Sequence, residues 1–126
     1  MPQDPEDLLS DWQYRAEQQA ETSLELSRRM QEVTASAESA DGETVVTVNH
    51  SGGLAGLRLA DRAMRLSAVE LAETILATNR RAQAQLAEKM GELVKGIYGS
   101  DSPTAAFIAG SYSEQFPTPS DDEETR

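Results

Sequence analysis

The chain has 126 residues, of which 26% are charged, 38% hydrophobic and only 5% aromatic. That length allows one small domain with tails and excludes a two-domain enzyme. The absence of cysteine excludes a disulfide framework and thiolate metal sites. No apolar run approaches the roughly 20 residues that a membrane span needs. The acidic start of the chain is unlike a secretory leader, so we expect a cytoplasmic protein.

The net charge of −11, from 11 basic and 22 acidic residues, is unevenly distributed along the chain. Residues 1–38 carry −6 and residues 100–126 carry −5, whereas residues 63–99 carry +1. An acidic balance of this size argues against broad phosphate binding. The one net basic region is therefore the place to look for a phosphate-binding surface.

Residues 5–33 are predicted to form one long helix, because they lack glycine and consist mostly of good helix formers. Asp4 and Pro5 suit the N-cap and the first helical position. The apolar residues trace one thin, alanine-rich face: Leu9, Trp12, Ala16, Ala20, Leu24, Met30 and Val33. We expect this face to pack on a second helix, with Trp12 as its anchor.

In the middle of the chain, the apolar residues alternate with the two-residue period of a β-strand. The runs at residues 43–49 and 54–60 are rich in β-branched and alternating apolar residues, and a glycine-containing loop separates them. They predict a β-hairpin. Residues 33–40 either finish the first helix or form a third strand. An isolated hairpin is marginal in water, which favours a third strand, a cover by helices or pairing with a second subunit.

Residues 66–98 predict a second long helix. Ser67 and Glu70 form a capping box at its start. The seam of this helix alternates in steps of three and four: Val69, Ala72, Leu76, Asn79, Gln83, Leu86, Met90, Leu93 and Ile97. Among these we expect Leu76, Leu86, Met90 and Leu93 to make helix or dimer contacts.

Residues 100–126 predict a disordered acidic tail that follows a folded domain of residues 1–99. The tail holds three of the five prolines and the acidic run at 121–124. An apolar cluster at residues 105–109, with Tyr112 and Phe116 beyond it, interrupts the polar sequence. This cluster is either a weakly collapsed part of the tail or a docking element for the chain itself or for a protein partner.

The two helices are too long for the core of a single chain. Thirty residues of helix span roughly 45 Å, whereas a domain of this size has a radius of gyration of roughly 14 Å. Both helices must overhang, and their apolar faces need a cover. A homodimer supplies that cover.

The sequence resembles the YbaB/EbfC family over about residues 8–99. The resemblance lies in Val-Val-Thr-Val-Asn at residues 45–49, Gly-Leu-Ala-Gly-Leu-Arg-Leu at 53–59 and Glu-Lys-Met-Gly-Glu-Leu at 88–93. It implies an α+β fold with the order α-β-β-β-α, with the third strand near residues 33–37, and a tweezer-like homodimer. It also implies a nucleoid-associated protein that binds double-stranded DNA with little sequence preference, near the tips of the tweezers.

Two features depart from the family pattern. His50 and Ser51 intervene before Gly52 in the hairpin loop, and both termini are acidic. A similar acidic class accompanies actinobacterial type VII secretion systems, where the role resembles protein binding without DNA binding. The alternative function is therefore a protein-interaction module that keeps the fold.

The candidate DNA-binding residues are basic side chains on the two helices: Arg80, Arg81, Lys89, Lys95, Arg28 and Arg29. Alternatively, these residues are ordinary solvent-exposed charges on a helix face, with no role in binding. Glu25 and Glu32 lie one turn from Arg28 and Arg29 and can neutralise them. Aromatic interleaving is absent, so duplex backbone contact is the expected mode. The acidic tail can compete with DNA for the basic helix.

Nothing in the sequence indicates an enzyme, a cofactor or a metal site. His50 is the only histidine, and no Asp or Glu cluster accompanies it. No nucleophile, base and orienting group occur together. We therefore expect a binding protein that needs no cofactor.

Overall fold

The computed structural model describes residues 5–119 as a helix, a small sheet and two further helices. The elements in chain order are α1 (Pro5–Glu32), β1 (Ala35–Glu38), β2 (Thr44–Val48), β3 (Leu54–Leu59), a short 3₁₀ helix (Asp61–Arg65), α2 (Ala68–Tyr98) and α3 (Pro103–Gln115). The strands form one antiparallel sheet in the order β1-β2-β3. The predicted α+β order with three antiparallel strands is confirmed.

The sheet buries one face, and the central strand β2 shows why. Thr44, Val46 and Val48 alternate with half-buried residues, as a strand with one covered face requires. Ala35 and Ala37 of β1 lie opposite Val48 and Val46 and are also buried. The small side chains of β1 bring this edge of the sheet close to the helix above it.

Helix α2 supplies the cover for β1 and β2. Ser67 caps its first turn, because the side-chain oxygen accepts a hydrogen bond from the Glu70 amide. Leu86 and Met90 are fully buried on the sheet, in agreement with the predicted seam. Leu93 is partly buried at the edge of the same core.

In the N-terminal half of α2 the core of the single chain does not follow the predicted seam. Thr78 and Ala82 face the core there, and their neighbours Asn79 and Gln83 lie beside it. The Thr78 hydroxyl lies 3.3 Å from the hydroxyl of Thr44. Small side chains let the helix approach β2, so the core follows them rather than the strict heptad positions.

The segment after residue 99 differs from the predicted disorder, because residues 103–115 form helix α3. Ser102 caps its start and Pro103 occupies the first turn. Ala105, in the first helical turn, is buried with Leu26 and Val94, and Ile108 and Ala109 pack around this cluster. The helix signal lies in the apolar spacing of these residues, which the overall composition of the segment conceals. The acidic run at 121–124 lies outside the described residues.

Trp12 and Leu76 do not make the helix contacts predicted for them within the chain. Trp12 is 68% exposed and Leu76 is 56% exposed. Every residue from 5 to 21 is exposed, so the first half of α1 projects from the domain. Packing of Trp12 or Leu76 against a second copy stays a prediction.

The turn between β2 and β3 is fixed to the C-terminal part of the chain through Gly52. This glycine has a φ of +84°, and the ring of Phe116 lies directly against it. The Gln83 side chain donates a hydrogen bond of 2.9 Å to the Gly52 carbonyl oxygen. The turn, α2 and the end of α3 therefore meet at one buried glycine.

We predict that Gly52→Ala destabilises the fold by about 2–3 kcal/mol, because the new methyl group meets left-handed backbone strain and overlaps the Phe116 ring. Gly96→Ala is the matched control. Gly96 lies inside α2 with open space around it, so alanine there adds about 0.5–1 kcal/mol of stability. Urea unfolding followed by circular dichroism measures both changes. Equal stability of the two variants contradicts the packing at Gly52.

Candidate functional site

The middle of α2 carries the clearest concentration of positive charge without acidic neighbours in sequence. Between Glu73 and Glu88 the helix contains Arg80 and Arg81, several amide side chains and no acidic residue. Arg80 is exposed and Arg81 is half-buried. Guanidinium and amide donors on a helix surface suit contact with phosphate oxygens. We call Arg80 and Arg81 the arginine pair.

The four basic residues predicted on α2 do not form one patch. Nine residues separate Arg80 from Lys89, which is about two and a half helical turns, so the two side chains leave opposite sides of α2. The Lys89 ammonium donates a hydrogen bond of 2.7 Å to the Thr34 carbonyl oxygen, at the connection from α1 to β1. Lys95 lies about 21 Å along the axis from Arg81. Only the arginine pair is contiguous.

Arg28 and Arg29 on α1 form ion pairs with acidic neighbours on the same helix. Each guanidinium lies 2.8 Å from the Glu25 carboxylate, and Arg28 also lies 3.9 Å from Glu32. The hydrogen bond from Arg28 is the main cause that holds the pKa of Glu25 below its ordinary value, and the hydrogen bond from Arg29 acts in the same direction. Two arginines and two glutamates make this group neutral overall. It therefore offers phosphate little net positive charge.

Three further arginines lie in or beside the sheet and were not among the predicted DNA-binding residues. Arg58, Arg62 and Arg65 are exposed and fall within eight residues that contain one acidic residue, Asp61. Arg62 reaches across to donate a hydrogen bond to the Asp41 carbonyl oxygen. Their close spacing was a signal in the sequence. It was overlooked because the three arginines are divided between β3, which holds Arg58, and the short connection to α2, which holds Arg62 and Arg65.

The segment that follows α3 lies against the arginine pair. We call residues 116–119, with the sequence Phe-Pro-Thr-Pro, the C-terminal strap. The strap and Arg80 line a hollow of about 340 Å³, and Thr118 and Pro119 share a second hollow of about 220 Å³ with Arg81. Contact of Phe116 with Gly52 anchors the strap. The strap therefore lies along this surface of α2 as far as Pro119.

A second surface is apolar and exposed, and we call it the β3–α2 apolar face. Leu57 and Leu59 lie opposite Val46 and Thr44, so they share the sheet face on which α2 packs. Helix α2 leaves them more than 40% exposed. Met64, Val69 and Leu76, which follow in the chain, are also exposed. Single exposed leucines are ordinary, but two neighbouring leucines left uncovered on the packed face of a sheet make a candidate interaction surface.

A third surface is the projecting half of α1, residues 5–21, which we call the α1 arm. It carries five acidic residues and one basic residue, a net charge of −4. At 1.5 Å per residue it is about 25 Å long. The resemblance places DNA binding near helix tips, but the charge of this tip repels phosphate.

His50 lies in a different environment from these surfaces. It lines a hollow of about 430 Å³ with residues of α1 and α3, among them Leu26, Met30 and Tyr112. Burial raises the pKa of the Tyr112 hydroxyl. Over residues 5–119 no cluster of metal-ligating side chains occurs. Within the same range no helix is long and apolar enough to cross a membrane.

Comparison with known proteins gives one family. The model of the YbaB/EbfC DNA-binding family matches residues 6–100, which covers α1, the sheet and α2. Helix α3 and the strap lie beyond the match. No curated protein and no solved structure gives a significant match.

Proposed function

Because the chain belongs to the YbaB/EbfC DNA-binding family, we propose that it is a nucleoid-associated protein of the cytoplasm that binds duplex DNA as a homodimer. The observation that carries the proposal is the arginine pair on an acid-free stretch of α2. Arginine contacts to phosphate position a protein on DNA without reading its sequence. Little sequence preference and a steep dependence on salt follow from that mode of binding.

The β3–α2 apolar face supports the homodimer. Leu59 pairs with Thr44, and Thr44 contacts Thr78 of α2, so Leu59 lies on the sheet face that α2 covers, one strand beyond that contact. The same surface on a second copy gives a self-complementary contact about a twofold axis. Burial of exposed leucine and valine side chains is the driving force.

Dimer formation also strengthens the DNA-binding surface. Leu76 and Arg80 are four residues apart, so they share one side of α2. A dimer that buries Leu76 places Arg80 at the rim of the interface and brings two arginine pairs together. Four guanidinium groups near one axis attract the DNA backbone more strongly than either copy does alone.

We predict that Arg80→Gln with Arg81→Gln lowers the affinity for duplex DNA about tenfold or more at low salt, because phosphate contacts are lost. The slope of log affinity against log salt concentration becomes less steep by about 0.9 for each phosphate contact removed. Fluorescence anisotropy with a labelled duplex of mixed sequence measures both quantities.

The matched control for this experiment is Arg28→Gln with Arg29→Gln. It removes the same charge from a group that Glu25 and Glu32 already neutralise, so the affinity changes less than about twofold. Equal losses in the two variants contradict the arginine pair as the site. Absence of binding by the unmodified protein at about 50 µM and low salt contradicts DNA binding altogether. That result favours the protein-interaction alternative.

The strap adds an intramolecular competitor to the proposal. It ends at Pro119 beside Arg81, and the sequence continues with the carboxylates at 121–124. A covalently attached acidic segment acts at a high effective concentration on a nearby basic surface. It therefore competes with DNA phosphates for the arginine pair.

We predict that removal of residues 120–126 raises the DNA affinity several-fold at low salt, with a smaller gain as salt screens the competition. The control neutralises the same number of acidic residues in the α1 arm: Glu6→Gln, Asp7→Asn, Glu17→Gln and Glu21→Gln. Anisotropy titrations compare the two variants with the full chain. An equal gain in both, or none after truncation, rules out local competition by the tail.

A further inference from the structure

Thr118 lies between the two members of the arginine pair. It lines the hollow beside Arg80 and also the hollow beside Arg81. The two arginines leave α2 about 100° apart, and Ala84 leaves it at an angle between them. The small side chain of Ala84 lines the second hollow and leaves room for the strap. The strap therefore crosses α2 with one guanidinium group on each side of Thr118.

The anchor of the strap limits where Thr118 can lie. The ring of Phe116 lies against Gly52, and the Phe116 amide donates a hydrogen bond of 2.8 Å to the Tyr112 carbonyl oxygen in α3. Two residues of chain span at most about 7 Å, so Thr118 stays close to the arginine pair. Prolines on both sides of Thr118 restrict the backbone further.

The side chain of Thr118 is open to an enzyme. Pro117 and Thr118 are exposed, and they belong to no helix or strand. Exposed, irregular segments near the end of a chain are accessible to enzymes, as their sensitivity to proteolysis shows. A threonine hydroxyl in such a segment is a suitable substrate for a protein kinase.

We propose that Thr118 is a phosphorylation site whose phosphate binds the arginine pair and closes that surface to DNA. A serine/threonine protein kinase transfers the γ-phosphoryl group of ATP to the side-chain oxygen of Thr118. The hydroxyl proton passes to a base of the kinase, and ADP leaves. The closing of the surface rests on the DNA binding proposed above, whereas the modification and its contact with the arginines do not.

Charge and geometry favour a phosphate at this position. Phosphothreonine carries about −1.5 to −2 charges at pH 7 and three acceptor oxygens. The arginine pair carries two positive charges, with donors that suit phosphate. Among the residues that line the two hollows, Glu88 is the one acidic residue. The phosphate therefore meets two positive charges and one negative charge.

The bound phosphate removes the charge on which the proposed DNA binding depends. Its attachment two residues from the anchor at Phe116 gives it a high effective concentration at the arginine pair. The phosphates of DNA reach the same guanidinium groups only from solution, so the attached phosphate excludes them. Unmodified Thr118 carries no charge and does not compete in this way. The modification therefore switches DNA binding off.

Phosphorus NMR of the full-length chain carrying phosphothreonine at Thr118 tests the contact without DNA. We expect the second pKa of this phosphate to lie below its ordinary value of about 6, because nearby positive charge favours the dianion. Arg80→Gln with Arg81→Gln returns the pKa to the ordinary value. Arg28→Gln with Arg29→Gln is the matched control and leaves the pKa low. Circular dichroism checks that each variant is folded.

Fluorescence anisotropy with the labelled duplex tests the consequence at about 0.1 M salt, where the Debye length is about 10 Å. Phosphorylation of Thr118 lowers the DNA affinity about tenfold or more. Phosphorylation of Thr104 is the matched control, because it adds the same charge at the start of α3. The neighbouring Ala105 is buried with Val94, which lies about 20 Å along α2 from Arg80. Salt screens this distance, so the affinity changes less than about twofold.

Mass spectrometry of the chain isolated from its own cells locates the modification. Phosphate at Thr118 supports the proposal, and its absence there in both growing and resting cells overturns it. A phosphate pKa that the arginine substitutions do not change also overturns it, as do equal losses of DNA affinity on phosphorylation of Thr118 and Thr104. Failure of the unmodified chain to bind DNA contradicts the proposed function and the closing of the surface. The modification and its contact with the arginines are then decided by the other two measurements.

Discussion

The structure depends on the coverage of a three-stranded sheet by a single helix. A helix with its side chains is about 10 Å wide, and neighbouring strands lie about 4.8 Å apart. One helix therefore covers two strands. Helix α2 covers β1 and β2 and leaves the apolar side chains Leu57 and Leu59 of β3 exposed. In the proposed homodimer, the same surface of a second copy covers these side chains.

The remaining surfaces are separated by charge as well as by position. The acidic α1 arm points away from one end of α2, and the arginine pair lies near the middle of that helix. Helix α3 packs back on α2, so the strap reaches the arginine pair and leaves the arm uncovered. The direction of α3 thus places the strap beside the arginine pair.

Local signals in the sequence predicted most of the fold. The cap at Ser67, the β-branched run of β2 and the glycine-free α1 each agree with the structure, because each depends on neighbouring residues. Helix α3 was missed because proline, serine and acidic residues are abundant over residues 100–126 as a whole, although they are few within α3 itself. The sequence identified the arginine pair. It could not show that Lys89 bonds to Thr34 on the other side of α2, because that contact depends on tertiary packing.

The mass of the protein in solution tests the central claim most directly. If one helix leaves β3 uncovered, the unmodified chain sediments at about 10 µM with twice its 13.7 kDa mass. Leu57→Asp, which places a charge in the centre of the apolar face, then sediments at the mass of one chain with its circular dichroism retained. A single-chain mass for the unmodified protein at that concentration contradicts the account.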